Sequence, residues 1–482
     1  MSALTDLVIL VPFCFFLVAL IKFLYDYLWV PLRIQHLLNS QGIKGPPYKF
    51  IHGNNHEVTK MKKEAVSKPL GLTDDIFPRV QPHIYTWINR YEPELVKEVL
   101  KNSENTFPKK KPSIFFSKLL GNGLLLLEGE KWVKHRKLAN HVLHGERLKN
   151  MTPTVIASVE TMLEKWKGQE GKEIEVFQEF RLLTSEVISR TAFGSSYLEG
   201  EKIFAMLKEL SIIISRNNFK TRIPLINKLW KPVDMLKSEE LAEGIQDCVM
   251  KIVKKREDKV VNGEADSFET RRQMEDLVDE CKTFYFAGQD TVNSILAWIV
   301  LHLATHGDWQ DKARREVIDI FGNRNPDSKG ISKLKTITMI IYETLRLYGP
   351  SNGLQRRVTR EVQLGKLVLP ANIDILVQNI ALHNDPCQWG DDVHLFKPER
   401  FEEGIAKTTN YNAAAFFPFG LGPRSCVGMS FAITETKVAL SMILQRYTIT
   451  LSPAYVHSPM PILAIRPQHG IQVILKSLQN NA

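Results

Sequence analysis

One cysteine, set between a glycine-rich loop and a long apolar helix, constrains this chain more than any other feature. The stretch reads Phe417-Pro-Phe-Gly-Leu-Gly-Pro-Arg-Ser-Cys-Val-Gly-Met-Ser430. From Val427 to Leu444 apolar residues recur at helical spacing, which predicts a long buried helix. Cys426 then lies at or just before a helix N-terminus, where the partial positive charge favours a thiolate. Gly420 and Gly422 let the backbone approach a flat group and let amides point at the sulfur. Arg424 adds a fixed cation suited to a carboxylate. A lone free cysteine is most often a small core residue; here the neighbours argue otherwise.

The other four cysteines do not compete. Cys14, Cys248, Cys281 and Cys387 are widely spaced and form no C-x-x-C pair, which argues against structural zinc, an iron–sulfur cluster or a disulfide scaffold and fits a reducing compartment. With 482 residues, 44% hydrophobic and 24% charged, an ordinary globular chain is expected. The formal charge of +10 is spread over short runs such as Lys109–Lys111 and Lys254–Arg256. These read as solvated loops, or as a basic face for an acidic protein partner or an anionic membrane. Nothing resembles a nucleic-acid-binding module.

Leu7 to Ile21 is uncharged and apolar, broken only by Pro12, with Phe23, Tyr25, Tyr27 and Trp29 able to form an interfacial belt. Without a basic leader or a small-residue cleavage site, residues 1–30 read as an uncleaved membrane anchor rather than a signal peptide. Arg33 and Lys44 after the run, against Asp6 before it, put the bulk of the chain on the cytoplasmic side. Gly45-Pro46-Pro47 makes residues 31–52 a stiff, Pro-rich joint, and 53–482 a single globular body.

Within that body, Ile84–Ile88 reads as a strand, Glu92–Asn102 as a helix and Phe107–Asn122 as a loop. Trp132 and Arg136 are four apart on a helix opening at Gly129 and share a face. Met274–His306 reads as one long helix, apolar all round in its second half and so buried. Into its centre fall Ala287, Asp290 and Thr291, at i, i+3 and i+4, with Gly288 leaving room beside them. A buried acid and hydroxyl need a task or a partner. One reading is a proton relay; the other is Thr291 bonded back to a carbonyl and Asp290 in a salt bridge. On helix Lys333–Leu347, Glu343 and Arg346 sit among apolar neighbours, and Arg400 in Pro398-Glu-Arg-Phe401 offers a further partner. No G-x-G-x-x-G follows a strand, so the chain is not expected to bind its own nicotinamide or flavin.

Phe419-x-x-Gly422-x-Arg424-x-Cys426-x-Gly428 resembles the haem-binding signature of the cytochrome P-450 monooxygenases, at all five fixed positions. Ala287-Gly-Gln-Asp-Thr291, Glu343-x-x-Arg346, Pro398-Glu-Arg-Phe401 and Trp132-x-x-x-Arg136 are similar to the family's other motifs, in the expected order. Phe284–Thr291 and Gln41–Tyr48 look like a plant microsomal group whose members oxidise terpenoid-derived hormones, triterpenoids and other hydrophobic molecules. The resemblance implies a mainly α fold with small β-sheets (α+β), a helix-rich haem domain behind an N-terminal anchor. It implies haem b with Cys426 as axial ligand of the iron, cofactor contacts from Trp132, Arg136, Ala287, Arg356, Phe419, Gly422, Arg424 and Gly428, and Arg357 as near competitor to Arg356. Asp290 and Thr291 would deliver protons to oxygen; Glu343, Arg346 and Arg400 would form a structural triad. O2 and NADPH would be co-substrates, with electrons from NADPH–cytochrome P-450 reductase docking on basic residues at the Cys side. The expected setting is the endoplasmic reticulum membrane, and the expected substrate a terpenoid- or steroid-like molecule. Pocket walls are expected from Phe107–Gly121, Leu207–Phe219, Phe284–Thr291, Ser351–Leu354 and Ser458–Met460. Val292 and Gly349 depart from the family pattern. A haem-thiolate isomerase or dehydratase that needs no oxygen, and a non-catalytic haem protein that binds a ligand, stay open; Asp290 and Thr291 speak against the former.

Overall fold

The computed structural model describes the chain apart from residues 1, 89–92, 103–104, 195–196, 219, 221–231, 261–267, 352 and 479–482, and gives the backbone alone for 2–7, 199, 255–260 and 268–275. The fold is helix-rich with small sheets, as expected. Phe219, and most of the polar connector expected at 259–267, fall outside the described residues.

Helix Phe268–Thr305, longer than the periodicity predicts, runs through the core. Leu296, Ala297, Trp298 and Ile299 are wholly buried, so this half has no wet face. Helix Val176–Phe193 packs closely along it. The room at Gly288 is taken by that neighbour: a Cβ there would stand 2.7 Å from Ile188 Cδ1. Glycine at 288 therefore serves helix–helix approach, and the expected open space beside it is filled. Helix Gly129–Leu143 is tied to the long helix by Lys131–Asp276 (2.5 Å) and His135–Glu280 (2.6 Å). Segment 114–123 is clamped there too: the Asn122 N–H donates to Asp279 Oδ2 (2.7 Å) and Thr283 Oγ1 donates to the Leu120 carbonyl (3.2 Å).

Among the described residues, nine short strands form four sheets. β1 (Glu173–Glu175), β9 (Gln472–Ser477) and β6 (Tyr447–Leu451) make a three-stranded antiparallel sheet. β2 (Leu354–Arg357) pairs with β5 (Asp374–Val377), and β3 (Val362–Leu364) with β4 (Leu367–Leu369). β7 (Pro459–Ile462) and β8 (Ala464–Pro467) form a tight hairpin. Buried Arg79 fastens it to the N-terminal helices, donating to the carbonyls of Pro459 (2.8 Å) and Ala65 (3.0 Å).

Two expectations fail locally. Ile84–Trp87 is helical, in Pro82–Trp87, with Ile88 the extended residue that closes it, because Pro82 at the first position pre-sets the helical φ and the run is too short for alternation to decide. Phe107–Asn122 contains helix Ile114–Leu120, whose Ser113 cap accepts from the Phe116 N–H. At the amino end, helix Ser2–Leu24 carries Pro12 inside it, passes through a π-helical turn Tyr25–Trp29 and continues as Val30–Ser40. Among the described residues, Val8–Ser40 is the one helix long and apolar enough to cross a membrane. Its end is docked on the globule: Gln41 accepts from the Val368 N–H (2.6 Å) and donates to the Val368 carbonyl (3.0 Å).

Candidate active site

The Cys426 loop is positioned by backbone contacts. The Cys426 N–H donates to the Phe419 carbonyl (2.7 Å) and the Gly420 N–H to the Phe417 carbonyl (2.8 Å). Gly422 has φ +77°, and a Cβ there would lie 2.6 Å from the Leu100 carbonyl oxygen, so no other residue fits. Upstream, the Phe417 N–H donates to His383 Nε2 (3.1 Å). Helix Met429–Leu444 starts three residues after the sulfur, with Gly428 as its N-cap.

The Cys426 side chain is exposed, yet protein crowds it closely enough that desolvation dominates its acidity. That combination describes a sulfur at the floor of a cleft. A helix N-terminus alone predicts a thiolate. The structure corrects this: burial pushes the thiol up from its ordinary value, against the smaller opposing effects of the Gly428 N–H and the Arg136 charge. A cation bonded to the sulfur would reverse the balance.

Four cations converge around this loop. Arg136 donates to the Ser425 carbonyl. Arg424 donates to the Leu127 carbonyl (2.6 Å), and its guanidinium stacks on Trp132, 4.0 Å from the ring centroid. Arg356 is buried in β2, and Lys109 bridges to it. The Lys109 ammonium is pushed down to about 7, by burial first and then by repulsion from Arg424, Arg356 and Arg136, with Glu128 opposing. Glu128, 3.9 Å from Arg424, is the nearby carboxylate. A cluster with such excess positive charge, beside an accessible sulfur, suits a flat group bearing two carboxylates and a metal; the donor set fits haem. Arg357 instead pairs with Asp374 (3.0 Å), half-exposed, so it is Arg356 that joins the cluster. The sequence did not single out Lys109 for this place.

On the long helix, Phe284, Phe286–Gln289 and Thr291 are partly accessible around buried Tyr285 and Asp290, and Phe284, Ala287 and Thr291 lie on one stripe, at i, i+3 and i+7. Thr291 Oγ1 donates to the Ala287 carbonyl (2.6 Å). Asp290 is buried and ion-paired to Arg466 of β8. Both partners of the alternative reading of this motif are thus present, although Thr291 stays partly accessible. Val292 points into the core, so it takes no hydroxyl's place on that stripe.

Glu343 and Arg346 are fully buried. Arg346 grips Glu343 with two hydrogen bonds (2.8 Å each) and donates to the His383 carbonyl (2.9 Å). The expected triad is looser than the motif suggests. Arg400 stands 3.5 Å from Glu343 but spends its hydrogen bonds on Asp392 (2.5 Å) and the Trp389 carbonyl (2.6 Å). Asp392 and His383 carry this support, and neither was assigned to the site from the sequence.

His383 also gives a pH prediction. Burial and Arg346 hold it down at about 3, against 6.5 ordinarily. Below pH 6.5 the unfolded chain takes up a proton that the folded chain refuses, so stability falls from pH 6.5 towards 3, by on the order of a few kcal/mol. Thermal melts between pH 7 and 4 check this: His383→Gln, which keeps an acceptor for Phe417, should flatten the decline. An equal decline in the variant would assign it elsewhere.

The comparisons agree with this geometry. The cytochrome P-450 family model matches residues 44–475. A cytochrome P-450 of Panax ginseng, CYP749A22, is 51% identical over 500 residues, covering 96% of this chain and 95% of its own. The 7-deoxyloganic acid hydroxylase of Catharanthus roseus is 37% identical (94% of this chain, 95% of its own), and the 11-oxo-beta-amyrin 30-oxidase of Glycyrrhiza uralensis 38% (94% of each). The crystal structure of the cytochrome P450DA heme domain superposes with TM-score 0.67 at 21% identity, over 80% of this chain and 86% of that one. The chain belongs to the cytochrome P-450 family and is a monooxygenase of its plant type; family and fold imply haem iron.

Proposed function

We propose that this monooxygenase hydroxylates a hydrophobic terpenoid- or steroid-like molecule, using O2 and electrons that reach it from NADPH through a membrane-bound reductase. The observation that carries the reading is the accessible Cys426 sulfur beneath the cluster of Lys109, Arg136, Arg356 and Arg424. Bound there, haem supplies oxygen activation, which a thiolate ligand promotes. The protein's share is positioning. Trp132 stacks Arg424 in place, and Arg136, Arg356, Arg424 and Lys109 would hold the two carboxylates of the haem. The Cys426 loop, fixed by Phe419, Gly422 and Gly428, presents the sulfur. Ala287 leaves a shallow surface on the cavity side. Thr291 and Asp290 hold and pass protons towards the cavity, while Glu343, Arg346 and Arg400 keep the loop in register. The names of the Catharanthus and Glycyrrhiza relatives support the substrate class.

The N-terminal helix supports a single-pass anchor in the endoplasmic reticulum membrane, with the catalytic body on the cytoplasmic side. On the loop's outer face a cleft of about 460 Å³, lined by Lys149, Thr152, Phe417, Met429 and Lys437 among others, is a docking place for the reductase.

Membranes carrying the chain and a P-450 reductase, given NADPH and a terpenoid and steroid panel, should form an oxygenated product. NADPH-independent conversion without oxygen uptake would favour an isomerase or dehydratase; binding without any product would favour a ligand-binding haem protein. Thr291→Ala should raise peroxide per NADPH several-fold, below the ~10²–10⁴-fold that a general acid contributes in full. Unchanged coupling would return this threonine to its bond with Ala287.

A further inference from the structure

The long helix holds the β7–β8 hairpin through three residues on one face. Asp290 pairs with Arg466, Ser294 Oγ donates to the Ile465 carbonyl (2.5 Å), and Trp298 Nε1 donates to the same carbonyl (2.8 Å). These positions are i, i+4 and i+8, one row along the helix. The last two are neutral donors to a backbone oxygen and would suffice to dock the hairpin. The first joins two charges with little exposure: Asp290 is 3% exposed, and the Arg466 side chain 12%. A buried ion pair adds little to stability over apolar contacts, so its presence asks for another reason.

Arg466 has few other ties. Among the described residues its buried Nε finds no acceptor, and Asp290 is its ion-pair partner. Across the hairpin it faces Met460, which belongs to the stretch expected to wall the substrate pocket. Lys208 lies nearby: burial first, and then the charges of Arg181 and Arg466, push its ammonium down, so further cations stand close to the pair. Asp290 is covered while Thr291, the next residue, is partly accessible. In this arrangement the acid is turned to the hairpin, and the alcohol lies on the neighbouring face, bonded to the Ala287 carbonyl.

We propose that Arg466 is a positioning residue of the proton relay: it holds and orients the Asp290 carboxylate, and controls when that carboxylate serves Thr291. This rests on the relay reading given above. Without Arg466 the carboxylate loses its counter-ion and its direction, and protons arrive out of step with electrons. No covalent step belongs to Arg466 itself.

The test is a double-mutant cycle on the full-length haem protein with reductase, reading product and peroxide per NADPH and the solvent deuterium isotope effect on product formation. Arg466→Gln should raise peroxide per NADPH roughly tenfold, the lower end of what loss of an orienting partner costs. Asp290→Asn should do the same, and Arg466→Gln added to Asp290→Asn should change nothing more, because Arg466 acts through Asp290. Arg466→Lys, which keeps the charge, should recover most of the coupling and serves in the cycle if the glutamine variant binds too little haem. Additive effects, or wild-type coupling in Arg466→Gln beside a defective Asp290→Asn, would overturn the proposal and leave the relay standing. Normal coupling in Asp290→Asn would overturn the relay and the proposal with it.

Discussion

Cys426→Ser is expected to abolish the red-shifted Soret band of the reduced carbon monoxide complex and to take turnover to background. The protein should still fold. The side chain is exposed to the cleft and lies outside the buried core, so exchanging sulfur for oxygen disturbs little packing. The contacts that shape the loop are backbone ones, from Cys426 N–H to Phe419 and from Gly420 N–H to Phe417, and serine keeps both. What is lost is the soft, electron-rich donor that sets the iron's electronic behaviour. A melt within about 1 kcal/mol of wild type, alongside a spectrum without the shifted band, is the expected pair of results. Retention of that band would mean that another residue binds the iron.

The second large effect lies away from the haem face. Glu343→Gln or Arg346→Leu should prevent accumulation of folded, haem-loaded protein. Both side chains are fully buried, and each change strands a charge with no water to receive it. Breaking such a pair costs about 3–5 kcal/mol, a large part of the ~5–15 kcal/mol that holds a domain together. The damage also spreads. Arg346 bonds the His383 carbonyl, and the His383 ring accepts from the Phe417 N–H at the head of the cysteine loop. Glu343 also accepts from the Lys397 N–H (2.9 Å). Haem content and thermal midpoint of the purified variants check this. Replacing both partners by apolar residues of similar volume should recover stability but not full haem retention, because the link to His383 stays broken. Normal haem content in either single variant would reduce the pair to ordinary packing.

The haem-side loop was legible because its requirements are local. A cysteine, two glycines at positive φ and an arginine within a few residues describe one geometry. The long helix was legible from its period and from the absence of proline. The partners that reach these elements from a distance were harder to see. Arg466 lies 176 positions after Asp290, and Asp392 near Arg400 has no fixed spacing. A lone arginine in the apolar run Pro459–Pro467 was still a signal, since a charge in such a strand demands an anion. Lys109 could not be read as part of the basic cluster, because the bridge to Arg356 joins segments far apart in sequence. The room expected at Gly288 failed for the same reason: a missing side chain shows that something approaches, and here it is Ile188. The misread strand at Ile84–Ile88 is different, a short apolar run in which a leading proline outweighed β-propensity.

Iron K-edge X-ray absorption on the purified full-length protein reads the bond on which the chemistry depends. One sulfur among the iron's near ligands, present in wild type and gone in Cys426→Ser, is the predicted result. An iron surrounded only by nitrogen and oxygen in the wild-type protein, or a sulfur that persists in the variant, would contradict it.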